Sequence, residues 1–108
     1  GVYLVDLNPP RKSKPGKIRP VVVIQSLDVI EIGSPGIVVV PITSATRQEN
    51  ILRVHLKPCA HLSLEKPSDV LLDQVHTVDR SLFLKEIGYV DNQSFSKIQK
   101  GIRFLLNF

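Results

Sequence analysis

Arg19, Thr43-Ser44 and Asp73-Gln74-Val75-His76 each fall where an apolar run meets a loop. If those strand ends converge, they line a cleft with a guanidinium, a hydroxyl, a carboxylate and an imidazole. That set suits cleavage of RNA by its own 2′-hydroxyl. The reaction needs a group to take the 2′ proton, a cation or donor for the charge that builds on phosphorus, and a proton donor for the departing 5′ oxygen. Arginine's planar fork matches phosphate oxygens and it is a poor free base, so Arg19 fits charge stabilisation first and proton donation second. Thr43 can donate to the same phosphoryl group, and either Asp73 or His76 can move the proton. No metal is required. Each residue also has an ordinary structural reading: Arg19 as a solvated cation leading a strand, Thr43 bonding nearby backbone, Asp73 and Gln74 closing a barrel through hydrogen bonds, His76 half buried.

Other chemistries find no footing. The chain has no Gly-x-x-x-x-Gly-Lys, no Gly-x-Ser-x-Gly, no Cys-x-x-Cys and no His-Glu-x-x-His. Cys59-Ala60-His61 offers two metal ligands where a structural zinc site uses four. Cys59 is the single cysteine, so an internal disulfide is impossible and a cytoplasmic, reducing compartment is the simplest expectation.

Charge is concentrated beside Arg19. Arg11, Lys12, Lys14, Lys17 and Arg19 are five of the fourteen basic residues, and no acid interrupts them; the rest of the chain is nearly balanced, so this stretch carries the net charge of +4. Pro9-Pro10, Pro15-Gly16 and Pro20 exclude a helix or central strand there. It reads as a mobile basic loop anchored to a strand, suited to a polyanion such as nucleic acid.

The elements that must hold these residues are short strands. At 108 residues the chain is expected to be one domain, 1–108, and its opening at Gly1-Val2-Tyr3 inside a strand-like pattern reads as a trimmed N-terminus. Strands are predicted at 2–7, 20–25, 37–42, 51–56, 69–75 and 85–90, with the run Ile37 to Ile42 buried on both faces. In the fourth, Arg53 and His55 oppose Leu52, Val54 and Leu56. Residues 26–36 read as a turn-rich connection in which 29–32 pack locally. The convincing helix comes last: Phe95, Ile98, Ile102, Leu105 and Leu106 form one stripe, capped by Asp91 or Asn92, with Phe104 and Phe108 off it. Strands without intervening helices indicate a mainly β, antiparallel barrel or sandwich. No apolar run reaches the roughly 18–20 residues of a membrane span, so a soluble protein is expected.

Taken in order, Val5-Asp6-Leu7-Asn8-Pro9, Ile18-Arg19-Pro20-Val21-Val22-Val23-Ile24-Gln25, Val40-Pro41-Ile42-Thr43-Ser44 and Val70-Leu71-Leu72-Asp73-Gln74-Val75-His76-Thr77-Val78-Asp79 closely resemble the MazF/PemK (Kid) family of toxin–antitoxin endoribonucleases. The resemblance implies a small SH3-like antiparallel barrel of the MazF/PemK/CcdB type with a C-terminal helix. It implies a homodimer that cuts single-stranded RNA at short sequences without metal or cofactor, leaving a 2′,3′-cyclic phosphate and a 5′-hydroxyl. It also implies a cognate antitoxin whose acidic tail covers the RNA groove. By position, Arg19 matches the family's catalytic arginine, Thr43 its catalytic threonine and Asp73 an acidic proton-transfer position. Arg11, Lys12, Lys14 and Lys17 match the segment that closes over RNA, with Ser44, Gln74 and His76 as further RNA contacts.

Two departures stand out. Lys12-Ser13-Lys14-Pro15-Gly16-Lys17 stands where members commonly carry a Gly-Ser-Glu-Gln-Gly-Gly-like loop, and His76 stands where many have arginine. The first bears on loop closure and recognition sequence; the second removes a cation or supplies a base titrating near neutrality. The rival functions are a non-catalytic toxin of the CcdB type that binds DNA gyrase, and a barrel that binds RNA without cutting it. The gyrase binder uses a tryptophan near its C-terminus, and this chain has none.

Overall fold

The structure, a computed structural model, describes residues 1–7 and 17–107. Among these residues the seven strands are β1 (Val2–Asp6), β2 (Ile18–Val23), β3 (Gly36–Thr43), β4 (Arg53–Leu56), β5 (Ser68–Leu71), β6 (His76–Asp79) and β7 (Phe83–Gly88), joined by α1 (Leu27–Glu31) and closed by α2 (Asn92–Leu106). All pairings are antiparallel, in the order β4-β5-β3-β2-β1-β7, with β6 on β3. The expected mainly β fold with a C-terminal helix is the one observed. The sheet does not close as a continuous ladder, but it curls until the segment after β4 meets β7, where Leu62 bridges Gly88 and Ser63 N–H donates to the Ile87 carbonyl at 2.9 Å. This gives the barrel its shape.

β3 organises the molecule because both of its faces are apolar. Val40 and Ile42 pack with Val2, Val22, Val54 and Val70 on one side. Ile37 and Val39 pack with Val5, Val21 and Val78 on the other. This is the two-sided burial that its unbroken Val/Ile run predicts. Its eight residues are long enough to carry two partners along one edge, β6 at Gly36–Val39 and β5 at Ile42–Thr43. Pro41 falls between the two, where no ladder bond with either is required of it.

That double edge explains the largest departure from the expected elements. The predicted strand 69–75 ends at Leu71, turns through a 3-10 segment Leu72–Gln74, and resumes as β6. β2 begins two residues earlier than expected, since β1 runs far enough to pair Asp6 with Ile18 and Val5 with Arg19. Arg19 therefore lies within a strand. The connection 26–36 holds α1, capped by the Ser26 hydroxyl accepting from the Asp28 amide at 3.2 Å. In β4, Val54 and Leu56 are buried while Arg53 and His55 take the opposite side, as the alternation predicts.

α2 starts where Asp91 Oδ1 accepts from the Ser94 amide at 2.8 Å and ends at Asn107 in the left-handed conformation, φ 62°. Ile98 and Gly101 are its buried residues. A Cβ at Gly101 would overlap the Leu72 side chain and the Ile51 carbonyl oxygen, so the glycine is what lets the helix lie on the 3-10 turn. Leu105 and Leu106, at the far end of the predicted stripe, are exposed with Phe104. Phe108 lies outside the described residues.

Candidate active site

Arg19 is exposed near the start of β2. The β2–β3 register pairs Val21 with Pro41, Val22 with Val40 and Val23 with Val39. Continued two positions past Val21, it sets Arg19 against Thr43, and directly opposed residues of an antiparallel pair project to the same side. The β3–β5 register then pairs Thr43 with Asp69, and the β4–β5 register pairs Asp69 with His55. Four strands thus contribute one transverse row: Arg19, Thr43, Asp69, His55. His76, paired with Val39 two alternations from Thr43, belongs to the same side.

Thr43 is half-buried, and its Oγ1 accepts from the Ala45 amide at 3.1 Å. That bond uses a lone pair and leaves the hydroxyl proton free to be donated. His76 Nδ1 lies 2.9 Å from the Gln74 carbonyl oxygen, which can only accept, so Nδ1 carries a proton and Nε2 of the neutral ring is left as an acceptor. Asp73 and Gln74 are exposed on the 3-10 turn, whose footing is fully buried Leu72. Burial of a leucine stabilises by roughly 1.5–3 kcal/mol, which offsets part of the cost of ordering the turn against the sheet.

A cleft of about 380 Å³ opens beside the row. Arg19, Ser44 and Lys66 border it, over an apolar floor that includes Leu4, Ile42 and Ile87. Alternation places Leu4 and Ile42 on the opposite side of the sheet from Thr43, and Arg19 reaches the cleft because it stands near a strand end. Of the candidate residues described, the cleft gathers Arg19 and Ser44; Thr43, Asp73, Gln74 and His76 do not line it. Lys17 is exposed just before β2, its amide donating to Asp6 Oδ1 at 3.2 Å and its carbonyl accepting from Leu7. Arg11, Lys12 and Lys14 lie outside the described residues.

A larger cavity of about 570 Å³ lies on the α2 side of β4, lined by Glu49, His55, Cys59, His61, Asp91 and Lys97 among others. Cys59 Sγ is 3.4 Å from His61 Nε2, and the His61 ring stacks on Tyr89 with centroids 4.6 Å apart. Among the described residues, no three His, Cys, Asp or Glu side chains gather as a metal set.

Asp69 is the residue that sequence reasoning passes over. It is fully buried, and its carboxylate accepts from the Arg47 amide at 2.8 Å, Arg53 NH1 at 2.6 Å and His55 Nδ1 at 2.5 Å. Burial pushes its carboxyl up, but the Arg47 amide, the Arg53 guanidinium and His55 together outweigh that and hold it below the usual value. Behind it, Glu49 accepts from the His55 amide at 2.8 Å and from Lys97 at 3.1 Å; the amide is the main reason its carboxyl is also lowered. The one signal in the sequence is an acid inside the otherwise apolar Val70-Leu71-Leu72 run's lead-in, Ser68-Asp69.

Comparison with known proteins places this geometry in a class. Residues 1–106 match the family described as PemK-like, MazF-like toxin of type II toxin–antitoxin system, and the chain belongs to that family. It is 33% identical over 106 residues to endoribonuclease EndoA of Bacillus subtilis, covering 97% of this chain and 90% of that one. It is 32% identical over 102 residues to endoribonuclease MazF of Staphylococcus saprophyticus, covering 94% and 83%. A mycobacterial endoribonuclease solved in complex with its cognate antitoxin shares the fold with a TM-score of 0.77 at 20% identity, over 99% of this chain and 91% of that one.

Proposed function

We propose that the chain is the toxin of a type II toxin–antitoxin pair and acts as a metal-independent endoribonuclease on single-stranded RNA. What supports the reading is the β2–β3 register, which continued past the Val21–Pro41 pair sets Arg19 opposite Thr43, in a chain that matches two endoribonucleases over nearly its full length. Asp73 or His76 takes the 2′ proton. The 2′ oxygen attacks phosphorus, Arg19 and Thr43 bind the non-bridging oxygens as their charge grows, and the 5′ oxygen leaves with a proton from Arg19, which the proton taken by Asp73 or His76 restores through solvent. Products are a 2′,3′-cyclic phosphate and a 5′-hydroxyl. The cationic segment 11–17 supplies attraction for the strand, with Ser44, Gln74 and His76 as further contacts.

An antitoxin with an acidic tail is the expected inhibitor, competing for the same cations. The exposed apolar end of α2, Phe104 to Leu106, is consistent with the homodimer that the resemblance implies. No helix among the described residues is long and apolar enough to cross a membrane, and we place the protein in the cytoplasm with its mRNA substrate. Incubation of the purified protein with single-stranded RNA of mixed sequence in excess chelator tests the reading. Fragments bearing 2′,3′-cyclic phosphates at a recurrent short motif support it. Intact RNA, or cleavage that needs added metal, contradicts it.

A further inference from the structure

The proposed reaction leaves Asp69 unused, although it is the most completely engaged carboxylate described. Its three donors do more than neutralise it. Thr43 is its direct partner across β3 and β5. The segment that leaves Thr43 is tied back to Asp69 by two routes: the Arg47 amide donates to Oδ2 at 2.8 Å, and Arg53 NH1, bound to the same oxygen at 2.6 Å, also donates to the Ala45 carbonyl at 3.1 Å. Ala45 in turn gives its amide to Thr43 Oγ1. His55 holds the other carboxylate oxygen, and the Glu49–Lys97 pair anchors the His55 backbone to α2. An apolar side chain at position 69 would pack in β5 but could accept none of these bonds.

We infer that Asp69 is a positioning residue for Thr43. By fixing residues 43–47, it sets the direction in which the Thr43 hydroxyl donates. The inference rests on the proposed reaction for its catalytic consequence, while the structural link can be read without it. The geometry predicts a specific pattern of non-additivity, since a residue that acts through Thr43 has little left to lose once Thr43 is gone.

The test is single-turnover RNA cleavage by Asp69→Asn, Thr43→Ala and the double variant, beside amide hydrogen exchange in each. Misplacement of a reacting group by about 1 Å costs on the order of 100-fold, so Asp69→Asn is expected to lower the rate by roughly 10- to 100-fold with KM changed less than about twofold. In the Thr43→Ala background the further loss should be under about threefold. The Arg47 amide should exchange at least about tenfold faster in Asp69→Asn, with Val21 and Val39 unchanged. Equal losses in both backgrounds, or an Arg47 amide that keeps its protection, overturn the inference. If the parent protein cuts no RNA, the functional reading fails, and exchange at Arg47 alone decides whether Asp69 holds the segment. If Asp69→Asn does not fold, His55→Ala, which removes a half-exposed partner, replaces it and must show the same non-additivity with a smaller loss.

Discussion

A buried carboxylate with three donors is stabilising only while it is charged. Folding lowers the pKa of Asp69, so its contribution is present above the unfolded carboxyl's value of ~3.9 and is lost as pH falls through the lower folded value. Asp69→Asn leaves the largely buried Arg53 without its counter-charge and should destabilise by about 2–3 kcal/mol at neutral pH. The gap between parent and variant should shrink as the melting temperature is followed from about pH 6 down to about pH 2.5. A gap that is constant with pH would show that the carboxylate's charge does not matter. Arg19, Thr43, Asp73 and His76 are legible in the sequence as candidates because each stands at the border of an apolar run; the first three also match family positions, while His76 stands out by departing from one. Asp69 is not, because its donors come from 22, 16 and 14 residues away and meet it only through strand registers that no local pattern specifies.

Among the elements, α2 is the one that sequence periodicity defines best, and Gly101 is its test. An alanine in an exposed helix interior would be favoured by about 1 kcal/mol, but here the added methyl meets Leu72 and the Ile51 carbonyl, and overpacking of this kind costs about 1–3 kcal/mol. Gly101→Ala should therefore lower the melting temperature, and should reduce cleavage further than the stability loss explains, because Leu72 is the footing of Asp73 and Gln74. A higher melting temperature would mean that the helix does not rest on the turn. The strands were less legible than the helix for a related reason. Apolar runs reveal β1, β2 and β3, yet the division of 68–79 into β5, a turn and β6 depends on β3 offering one edge to two partners. His76-Thr77-Val78-Asp79 carries one buried apolar residue, too little for a pattern.

At the scale of the molecule, the net charge of +4 is concentrated in residues 11–19, and the proposed function makes that stretch the source of long-range attraction for RNA. Each lysine that meets a phosphate adds up to about 0.7 to the log–log salt slope of single-strand binding. Replacing Lys12, Lys14 and Lys17 with glutamine should flatten that slope and weaken binding almost equally across sequences, while the cut motif stays the same, since lysines attract without reading bases. A changed motif in a cleavage-site profile would show that these lysines read sequence; an unchanged slope would remove them from the interface.

The central claim, that Arg19 stabilises charge on the phosphorus, is tested most directly by comparing cleavage by the parent with Arg19→Lys and Arg19→Ala under single-turnover conditions at saturating protein. Both variants are expected to fold with unchanged melting temperature. Both should be impaired by at least about 100-fold, because a point charge cannot reproduce the two-pronged contact with the phosphate oxygens. An Arg19→Lys protein that cuts at the parent's rate would contradict it and reduce Arg19 to a source of field.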